Sequence, residues 1–407
     1  MSFQLYTLGP IKMTRPTIAE ILLPALRHNL SMARSLAGAA EIIPVVKADA
    51  YGHGAVAISQ ELVKTGIKHL AVACMEEAAE LLDSGVNARL IILGPLFEDE
   101  VTEIITRRFI PVISRPSDLD MIEKGLKIKA PNGDGRIEVI IDVDTGMGRM
   151  GFLPEEINDL VERLRKMSMV RLSGIFSHLP VSESADEEDV EYTRRQLQDF
   201  SLMVKAIRKL DPEGPHVSIA NSGALLFHQD AAMSAARPGI MLYGVRPAHG
   251  MPVQARLEPV MRWVTKIAQV RCLPAGSSIS YGRKTVLKRT SCVALLPVGY
   301  ADGLSRKIQP GFNLFVRGKP APITGVITMD LTMIDVTDIP GAAPGDRVLI
   351  MGKDVQNAGP DKDLADYLDH AQVEVSAEDH ARAAGTIPYE ILTSVGKRVK
   401  RIIKDEL

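Results

Sequence analysis

The first 245 residues alternate short apolar runs with amphipathic stretches, and this alternation constrains the fold more than any other feature. The apolar runs predict strands at 42–46, 70–74, 90–93, 110–113, 137–142, 171–177, 216–220 and 236–242. Helical patterns lie between most of them, at 55–65, 75–84, 98–107, 117–124, 154–166 and 189–210. Eight such strands, with no Gly-x-Gly-x-x-Gly after the first, predict a (β/α)8 barrel.

The pattern of apolar segments in the sequence changes after about residue 256. The apolar segments become short, rich in β-branched residues and interrupted by Gly and Pro, at 260–271, 292–298, 312–316, 321–327, 331–336 and 347–350. One or two short helices are predicted at 364–368 and 375–384. We therefore predict an α/β chain with an N-terminal barrel at 16–255 and a C-terminal mostly-β domain at 256–407.

Charge and composition exclude several classes of partner. The 48 basic residues nearly balance the 50 acidic ones and form no basic stripe, so we expect neither nucleic acid nor membrane as a partner. No run is long and apolar enough to cross a bilayer, and the N-terminus lacks a signal-peptide layout. The three cysteines, Cys74, Cys272 and Cys292, lack Cys-x-x-Cys spacing and predict no disulfide framework, which indicates a reducing cytosol.

The last four residues spell Lys-Asp-Glu-Leu, an endoplasmic-reticulum retention address. Such an address is read only on a protein that has entered the secretory pathway. Without a signal peptide we interpret it as a coincidence in a charged, solvated tail, and we expect a cytoplasmic protein.

Polar residues stand at the carboxyl ends of several predicted strands, where a parallel barrel collects its chemistry. They are Lys47 and Tyr51 after the first strand, the run 144–149 ending in Arg149 after the fifth, Ser177 and His178 after the sixth, Asn221, Ser222 and Gly223 after the seventh, and Arg237, Pro238, Gly239 and Ile240 in the eighth. A single lysine or histidine at a strand end is usually structural. Five such coincidences on one rim predict an active site.

The residue types on this rim favour one kind of ligand. A partly desolvated lysine such as Lys47 can lose its proton and act as a nucleophile or Schiff-base partner. The Ser222-Gly223 and Pro238-Gly239 pairs suit a phosphate monoester, because glycine exposes backbone N–H groups and serine adds a hydroxyl. Together they fit a phosphorylated aldehyde held by the lysine. We predict no metal site.

The second domain places two tyrosines in Gly-rich loops, Tyr281 within 279–283 and Tyr300 within 297–303, and a Met329-Asp330 pair follows Thr328. A loop tyrosine can act as a general acid or base when nearby cations lower its pKa. It can equally be an amphipathic residue at a domain interface. Position alone does not choose between these interpretations.

Taken together, these strings resemble bacterial alanine racemases, a pyridoxal-phosphate (PLP) family, from about residue 17 to 401. The most specific strings lie at 45–54, 144–151, 236–244, 280–282, 299–303 and 387–390. The resemblance implies a barrel that carries PLP and a β domain that residues 1–15 would join. It also implies a head-to-tail homodimer with shared active sites.

The resemblance also implies roles for residues. Lys47 would hold PLP covalently, and Arg237 would face its pyridine nitrogen. Lys47 and Tyr281 of the partner subunit would be the two bases of racemisation, serving the D- and the L-isomer respectively. The phosphate would be bound by Tyr51, Ser222, Gly239, Ile240 and Tyr389, and the substrate site would be lined by Arg149, Tyr300, Met329 and Asp330. His178 would link Arg237 to the tyrosine.

Three positions depart from the family pattern. Asp142 stands where many members carry a carbamylated lysine, and we predict that its carboxylate replaces the carbamate and pairs with Arg149. Thr328 stands where a cysteine is common, and Val326 where an arginine is usual. The last two border the substrate pocket and leave side-chain specificity open.

The expected function is interconversion of L-alanine and D-alanine, a small-molecule amino acid substrate, with D-alanine feeding peptidoglycan in a bacterial cytoplasm. A racemase for serine, lysine or arginine is a first alternative. A non-catalytic PLP carrier on the same barrel is a second, although such carriers lack a β domain. A PLP decarboxylase is a third, and it would need a catalytic cysteine near the C-terminal substrate loops.

Overall fold

The computed structural model describes residues 15–129, 136–210, 216–247, 255–354 and 373–405. The described chain begins with strand β1 (Ile18–Leu22) and helix α1 (Leu23–Ala37). Pro24 lies in the first turn of α1, where its missing N–H costs no hydrogen bond, and Gly38 ends the helix at a φ of 62°. Neither element was predicted from the sequence, although Leu23, Leu26, Leu30 and Ala33 recur at helical spacing.

The predicted barrel is confirmed. Its strands are β2 (Glu41–Ile42), β3 (His69–Val72), β4 (Arg89–Ile92), β5 (Ile110–Ile113), β6 (Ile137–Asp142), β7 (Val170–Phe176), β8 (His216–Ser218) and β9 (Ala235–Ala236). Strands β3 to β8 form one parallel six-stranded sheet in sequence order, and β2 pairs in parallel with β9. Almost every residue of these strands is buried, as expected for a parallel sheet covered by helices.

Helices connect the barrel strands. They are α2 (Lys47–Gly52), α3 (Ala55–Lys64), α4 (Met75–Asp83), α5 (Glu98–Arg107), α6 (Pro116–Lys129), α7 (Ile157–Lys166), α8 (Glu187–Ile207) and α9 (Ser222–Phe227). Helix α5 shows why such segments are helical, because three acidic residues occupy its first turn and Arg107 its last. That charge distribution complements the helix dipole, while Val101 and Ile104 are buried against the barrel.

Proline and glycine shorten two of the predicted strands. The first, predicted at 42–46, ends at Ile42, and Val45 continues only as an isolated bridge to Ala71 because Pro44 lacks an N–H group. The last, predicted at 236–242, ends at Ala236 before Pro238-Gly239. A 3₁₀ turn at Ile240–Tyr243 follows instead. The link at 222–234, where no helical pattern was identified, contains the short helix α9.

The C-terminal part of the described chain is strand-rich, as predicted. Its strands are β10 (Met261–Lys266), β11 (Gln269–Leu273), β12 (Ser278–Ile279), β13 (Thr285–Val286), β14 (Ser291–Leu296), β15 (Asn313–Val316), β16 (Lys319–Pro322), β17 (Thr332–Asp335), β18 (Arg347–Asp354), β19 (Val373–Val375) and β20 (Lys400–Lys404). Helices α10 (Ala377–Ala384) and α11 (Pro388–Ser394) lie between the last two. The helix predicted at 364–368 lies outside the described residues.

Strand β1 belongs to the C-terminal sheet, although the sequence placed all of 16–255 in the barrel. It pairs antiparallel with β10 and parallel with β20 in the sheet order β16-β15-β18-β10-β1-β20. Arg15 pairs with Asp302 of the β domain, which places this residue against that domain. Lys404 lies in β20 and Asp405 pairs with Arg27, so the tail is part of the fold as far as Asp405.

The expectation that the cysteines form no disulfide is wrong. Cys272 of β11 and Cys292 of β14 stand directly opposite each other in the antiparallel pair, and their sulfur atoms are bonded. The two residues are 20 apart in sequence, and no motif announces the pairing. Only the strand register brings them together, so the cysteine argument for a reducing compartment no longer holds. Cys74 is a free thiol.

Hydrophobic core residues of the barrel continue into the β domain as one cluster. Arg401 of β20 contributes a polar link, since its guanidinium donates to the carbonyl oxygen of Gly52 in α2. Among the described helices, none is both long and apolar enough to cross a bilayer.

Candidate active site

Lys47 opens α2 at the carboxyl end of the first barrel strand, and the backbone after it is unusual. Ala48, Asp49, Ala50 and Tyr51 all adopt left-handed φ values between 52° and 54°. Left-handed geometry costs an L-residue about 1–2 kcal/mol, so four in succession persist only when the surroundings hold them. Such strain is concentrated at functional sites.

Glu77 is the residue that holds this turn. One carboxylate oxygen accepts a hydrogen bond from the backbone N–H of Ala48 at 2.6 Å, and the other accepts from Ala73 at 2.7 Å. The Asp49 side chain accepts from the backbone N–H of Ala55 at 2.7 Å. The sequence analysis missed Glu77. Its signal was an acidic residue in the first turn of the helix that follows the second barrel strand.

A cavity of about 640 Å³ opens at the carboxyl ends of the barrel strands. It brings together most of the barrel residues predicted for the site, but not Gly223 or Pro238, and it also contains Tyr389 from α11. The predicted residues that line it are Lys47, Tyr51, Asp142, Arg149, His178, Ser222, Arg237, Gly239, Ile240 and Tyr389. The walls also include Val45, Leu93, Val112 and Phe176, which exclude water from one side of the pocket.

One end of the cavity carries clustered hydroxyl and backbone groups. The Ser222 hydroxyl oxygen accepts from the backbone N–H of Gly239 at 2.9 Å and of Met241 at 3.3 Å. A Cβ atom on Gly239 would lie 2.4 Å from the Tyr51 hydroxyl oxygen, so a larger residue there would displace the buried Tyr51 ring. Burial raises the pKa of the Tyr51 and Tyr389 phenols, which keeps them neutral hydrogen-bond donors.

Arg237 is a fixed cation in the middle of the pocket. Its guanidinium donates to the carbonyl oxygens of Ser218 and Ser177 and lies 4.3 Å from the centre of the Phe176 ring. Burial lowers the pKa of Arg237 to about 10, opposed by the nearby Asp142, so it stays charged at neutral pH. The predicted link to His178 is not among these contacts within the described chain.

The pocket is electropositive, and this shifts the titration of its members. Burial and then the charge of Arg149 lower the pKa of Lys47, against the opposing effect of Glu77. Burial, Arg237 and Arg149 lower the pKa of His178 to about 3, so the imidazole is neutral. A lysine with a lowered pKa and a neutral imidazole beside fixed cations suit proton transfer at an anionic ligand.

Asp142 is buried under the same cations. Burial raises the pKa of its carboxyl to about 7, although Arg237 and, to a smaller extent, Arg149 oppose the shift. The predicted direct pairing with Arg149 is absent: within the described chain no ion pair joins the two side chains. Arg237 has the larger electrostatic effect on the pKa of Asp142, and Arg149 acts on it through space without an ion pair.

Apart from Tyr389, the predicted residues of the β domain do not line the barrel cavity. Tyr281 is 73% exposed, Met329 53% and Tyr300 41%. Asp330 accepts from Arg398 at 2.8 Å. Tyr281 lines a second cavity of about 580 Å³ together with Thr328.

The Tyr281 loop is also strained. Ser280 adopts a φ of 62° with a ψ of −175°, a region that is nearly restricted to glycine, and Arg283 has a φ of 51°. The Ser280 hydroxyl donates to the carbonyl oxygen of Val326 at 2.8 Å, which holds the loop in place. Strained geometry held by specific contacts indicates a loop with a function.

The barrel pocket fits PLP on chemical grounds. It offers an amine with a lowered pKa, a cluster of neutral hydroxyl donors packed closely against Gly239, and a buried cation. These define a lysine-bearing cofactor pocket on a (β/α)8 barrel.

Comparison with known proteins agrees. The alanine racemase N-terminal domain family matches residues 21–247, and the alanine racemase C-terminal domain family matches residues 260–403. The chain therefore belongs to the alanine racemase family, whose members are amino-acid racemases, a class of isomerase. The alanine racemase of Sorangium cellulosum is 39% identical over 399 residues, covering 96% of this chain and 100% of that protein.

Solved structures give the same family. The alanine racemase from Streptomyces lavendulae superposes with a TM-score of 0.85 at 30% identity, covering 97% of this chain and 99% of that one. The alanine racemase from Bartonella henselae, solved with covalently bound pyridoxal phosphate, has a TM-score of 0.79 at 28% identity. It covers 96% of this chain and 99% of its own.

Proposed function

We propose that this protein interconverts L-alanine and D-alanine with PLP bound at Lys47. The observation that carries the proposal is Lys47 itself, an amine of lowered pKa on a strained turn that faces the fixed cation Arg237 across one cavity. Family membership supports the same reaction.

The pocket residues divide the work of holding the cofactor. Ser222, Gly239, Ile240, Tyr51 and Tyr389 would bind the phosphate, and Arg237 would face the pyridine nitrogen. Two carbonyl oxygens hold the Arg237 guanidinium in place. Because a guanidinium stays protonated, Arg237 would keep the pyridine nitrogen unprotonated. Bound PLP supplies the acidification of the α-C–H bond of an attached amino acid.

Racemisation requires one group on each face of the reacting carbon, so that one removes the proton and another returns it. We assign these roles to Lys47 and to Tyr281 of the partner subunit. The lowered pKa of Lys47 increases the neutral, basic form. The exposure and strain of the Tyr281 loop support a role that is completed by a second chain. Tyr300, Met329 and Asp330 would line the substrate entrance.

Arg149, His178 and Asp142 would set the electrostatics of the pocket. Arg149 would hold the tyrosine or the substrate carboxylate, and His178, which is neutral, would lie between Arg237 and the tyrosine. Asp142 would take the place of the carbamylated lysine found in many relatives. Its negative charge would then act on both arginines, since Arg237 and Arg149 both act on its pKa.

A chiral assay tests the reaction. Purified protein with PLP is incubated with a panel of L-amino acids, and the D-isomers are quantified. D-alanine formed well ahead of every other product supports the proposal. Faster inversion of serine, lysine or arginine would keep the mechanism but replace the substrate. Bound PLP with no inversion of any substrate would favour the carrier or the decarboxylase.

The shared site can be tested separately by complementation between inactive chains. A Lys47→Ala chain and a Tyr281→Phe chain are co-expressed, so that half of the dimers are mixed. In a head-to-tail dimer each mixed pair contains one unmodified site, which restores roughly a quarter of the wild-type activity. If each site lies within one chain, the mixture stays as inactive as its components.

We further propose a cytoplasmic role in supplying D-alanine for peptidoglycan. A bacterium that depends on this protein should stop growing when it is depleted and recover when D-alanine is added to the medium. Recovery with L-alanine alone would contradict this role, and fractionation of the cells would locate the protein.

A further inference from the structure

A second cluster of chemical groups lies at the opposite end of the barrel from the pocket. Glu41 opens β2, His69 opens β3 and His216 opens β8, so all three stand at the amino ends of their strands. One ligand atom from each lies within 4.8 Å of the others. None of them lines the active-site cavity.

The geometry is close to that of a three-ligand cation site. The Nδ1 atom of His69 is 2.6 Å from one carboxylate oxygen of Glu41, and the Nδ1 atom of His216 is 3.5 Å from the other. Ligand atoms bound at about 2.0–2.2 Å in a tetrahedral zinc site lie roughly 3.3 Å apart. Rotamer changes of less than about 1.5 Å would therefore equalise the three separations.

The cluster is also sheltered, and His69 is incompletely satisfied within it. The residue is 7% exposed, and its Nε2 atom is buried without a hydrogen-bond partner among the described residues. Two imidazoles and one carboxylate are a donor set that suits Zn²⁺.

An ion bound by Glu41, His69 and His216 would connect three strands at the point where the barrel closes. Strands β3 and β8 are the two edges of the six-stranded sheet, and β2 belongs to the separate two-stranded sheet that closes the barrel between them. That closing sheet has only two residue pairs, Glu41 with Ala235 and Ile42 with Ala236. An ion held by Glu41, His69 and His216 would tie both edges to the closing strand.

Positive charge near the cluster is limited. Lys68 and Arg89 both act on it electrostatically, but Arg89 forms an ion pair with Glu138 of β6. We propose that Glu41, His69 and His216 form a structural site for a divalent transition cation, Zn²⁺ being the expected ion, that clamps the amino-terminal end of the barrel. The site is independent of the racemase reaction.

The test is zinc binding by untagged, PLP-loaded protein that has been treated with a chelator. Isothermal titration with ZnCl₂ should give one tight site per chain in the wild type and a higher thermal unfolding midpoint with zinc present. His69→Gln and His216→Gln should each weaken that site on the order of 100-fold and remove the thermal shift. The PLP absorbance should not change.

His28→Gln is the matched control, because His28 is half-buried on α1, lies outside the cluster and bonds the carbonyl oxygen of Arg256. Zinc affinity that survives in both cluster variants, or that falls equally in the control, would overturn the proposal. Binding only at millimolar zinc would also overturn it. His216 is partly exposed, so His216→Gln should fold even where His69→Gln does not.

Discussion

The two halves of the proposed active site are built in opposite ways. In the barrel half, Lys47, Arg237 and Ser222 face one enclosed cavity and are held by carbonyl oxygens, backbone N–H groups and the strained turn after Lys47. In the β-domain half, Tyr281 and Met329 are mostly exposed. A single chain thus carries one preorganised half and one exposed half, which in our proposal a second chain completes.

This difference between the two halves indicates which of them should carry cofactor binding and which should be needed for racemisation. Cofactor binding should depend on the barrel of one chain and survive changes in the β domain. Racemisation should depend on both halves, because two groups must flank the reacting carbon. The following variants separate these properties.

Removing the barrel lysine should have the largest effect. Lys47→Ala eliminates the only amine that lines the described cavity, so the PLP absorbance band and racemisation should both disappear. Absorbance spectra after gel filtration measure cofactor retention. Covalently bound PLP in this variant would show that the cofactor is attached at another residue, and the barrel half would then not depend on Lys47.

Changing the other half should separate binding from catalysis. Tyr281→Phe removes one hydroxyl from an exposed ring, so the fold and the PLP band should be retained. Loss of a general acid or base costs about 10²–10⁴-fold, and we expect the loss mainly in the L-to-D direction. Initial rates in both directions measure it. Unchanged rates would show that Tyr281 is only an interface residue.

The phosphate end of the barrel half should respond more moderately. Ser222→Ala removes a hydroxyl that accepts two backbone N–H bonds and, in our proposal, binds the phosphate. Loss of a hydrogen bond to a charged group costs about 1.5–3 kcal/mol, which weakens PLP binding by roughly 10- to 100-fold. Ser201→Ala is the control, because its hydroxyl donates to the carbonyl oxygen of Leu197 in the same helix, α8. Equal PLP affinity in both variants would contradict the assignment.

Asp142 should have the smallest effect, expressed as a pH dependence. With a pKa of about 7, its carboxyl is neutral below that pH and anionic above it. If the negative charge orients the arginines, activity of the wild type should rise as pH increases through about 7. Asp142→Asn should flatten that limb and lower activity about tenfold at pH 8, or about 1.4 kcal/mol. Identical pH–activity profiles for the two proteins would show that the charge of Asp142 does not orient the arginines.

The barrel could be predicted because local periodicity encodes it. Strands at Ile110–Ile113 and Ile137–Asp142 and the helix at Glu98–Arg107 begin and end where the apolar pattern does. The rule that chemistry collects at carboxyl strand ends then placed Lys47, His178, Ser222 and Arg237 on one rim, and one cavity contains them. The role of Glu77 was not predicted from the sequence, because its hydrogen bonds to the backbone of Ala48 and Ala73 depend on the path of the folded chain.

The sequence by itself determined the alternation of strands and helices and the residue types on the catalytic rim, because both depend on neighbours in the chain. Only the tertiary structure decided that β1 pairs with β10 and β20, that Cys272 meets Cys292, and that His216 joins Glu41 and His69. These are contacts between residues distant in sequence. Strand register and barrel closure create these contacts, and no local sequence pattern predicts the register or the closure.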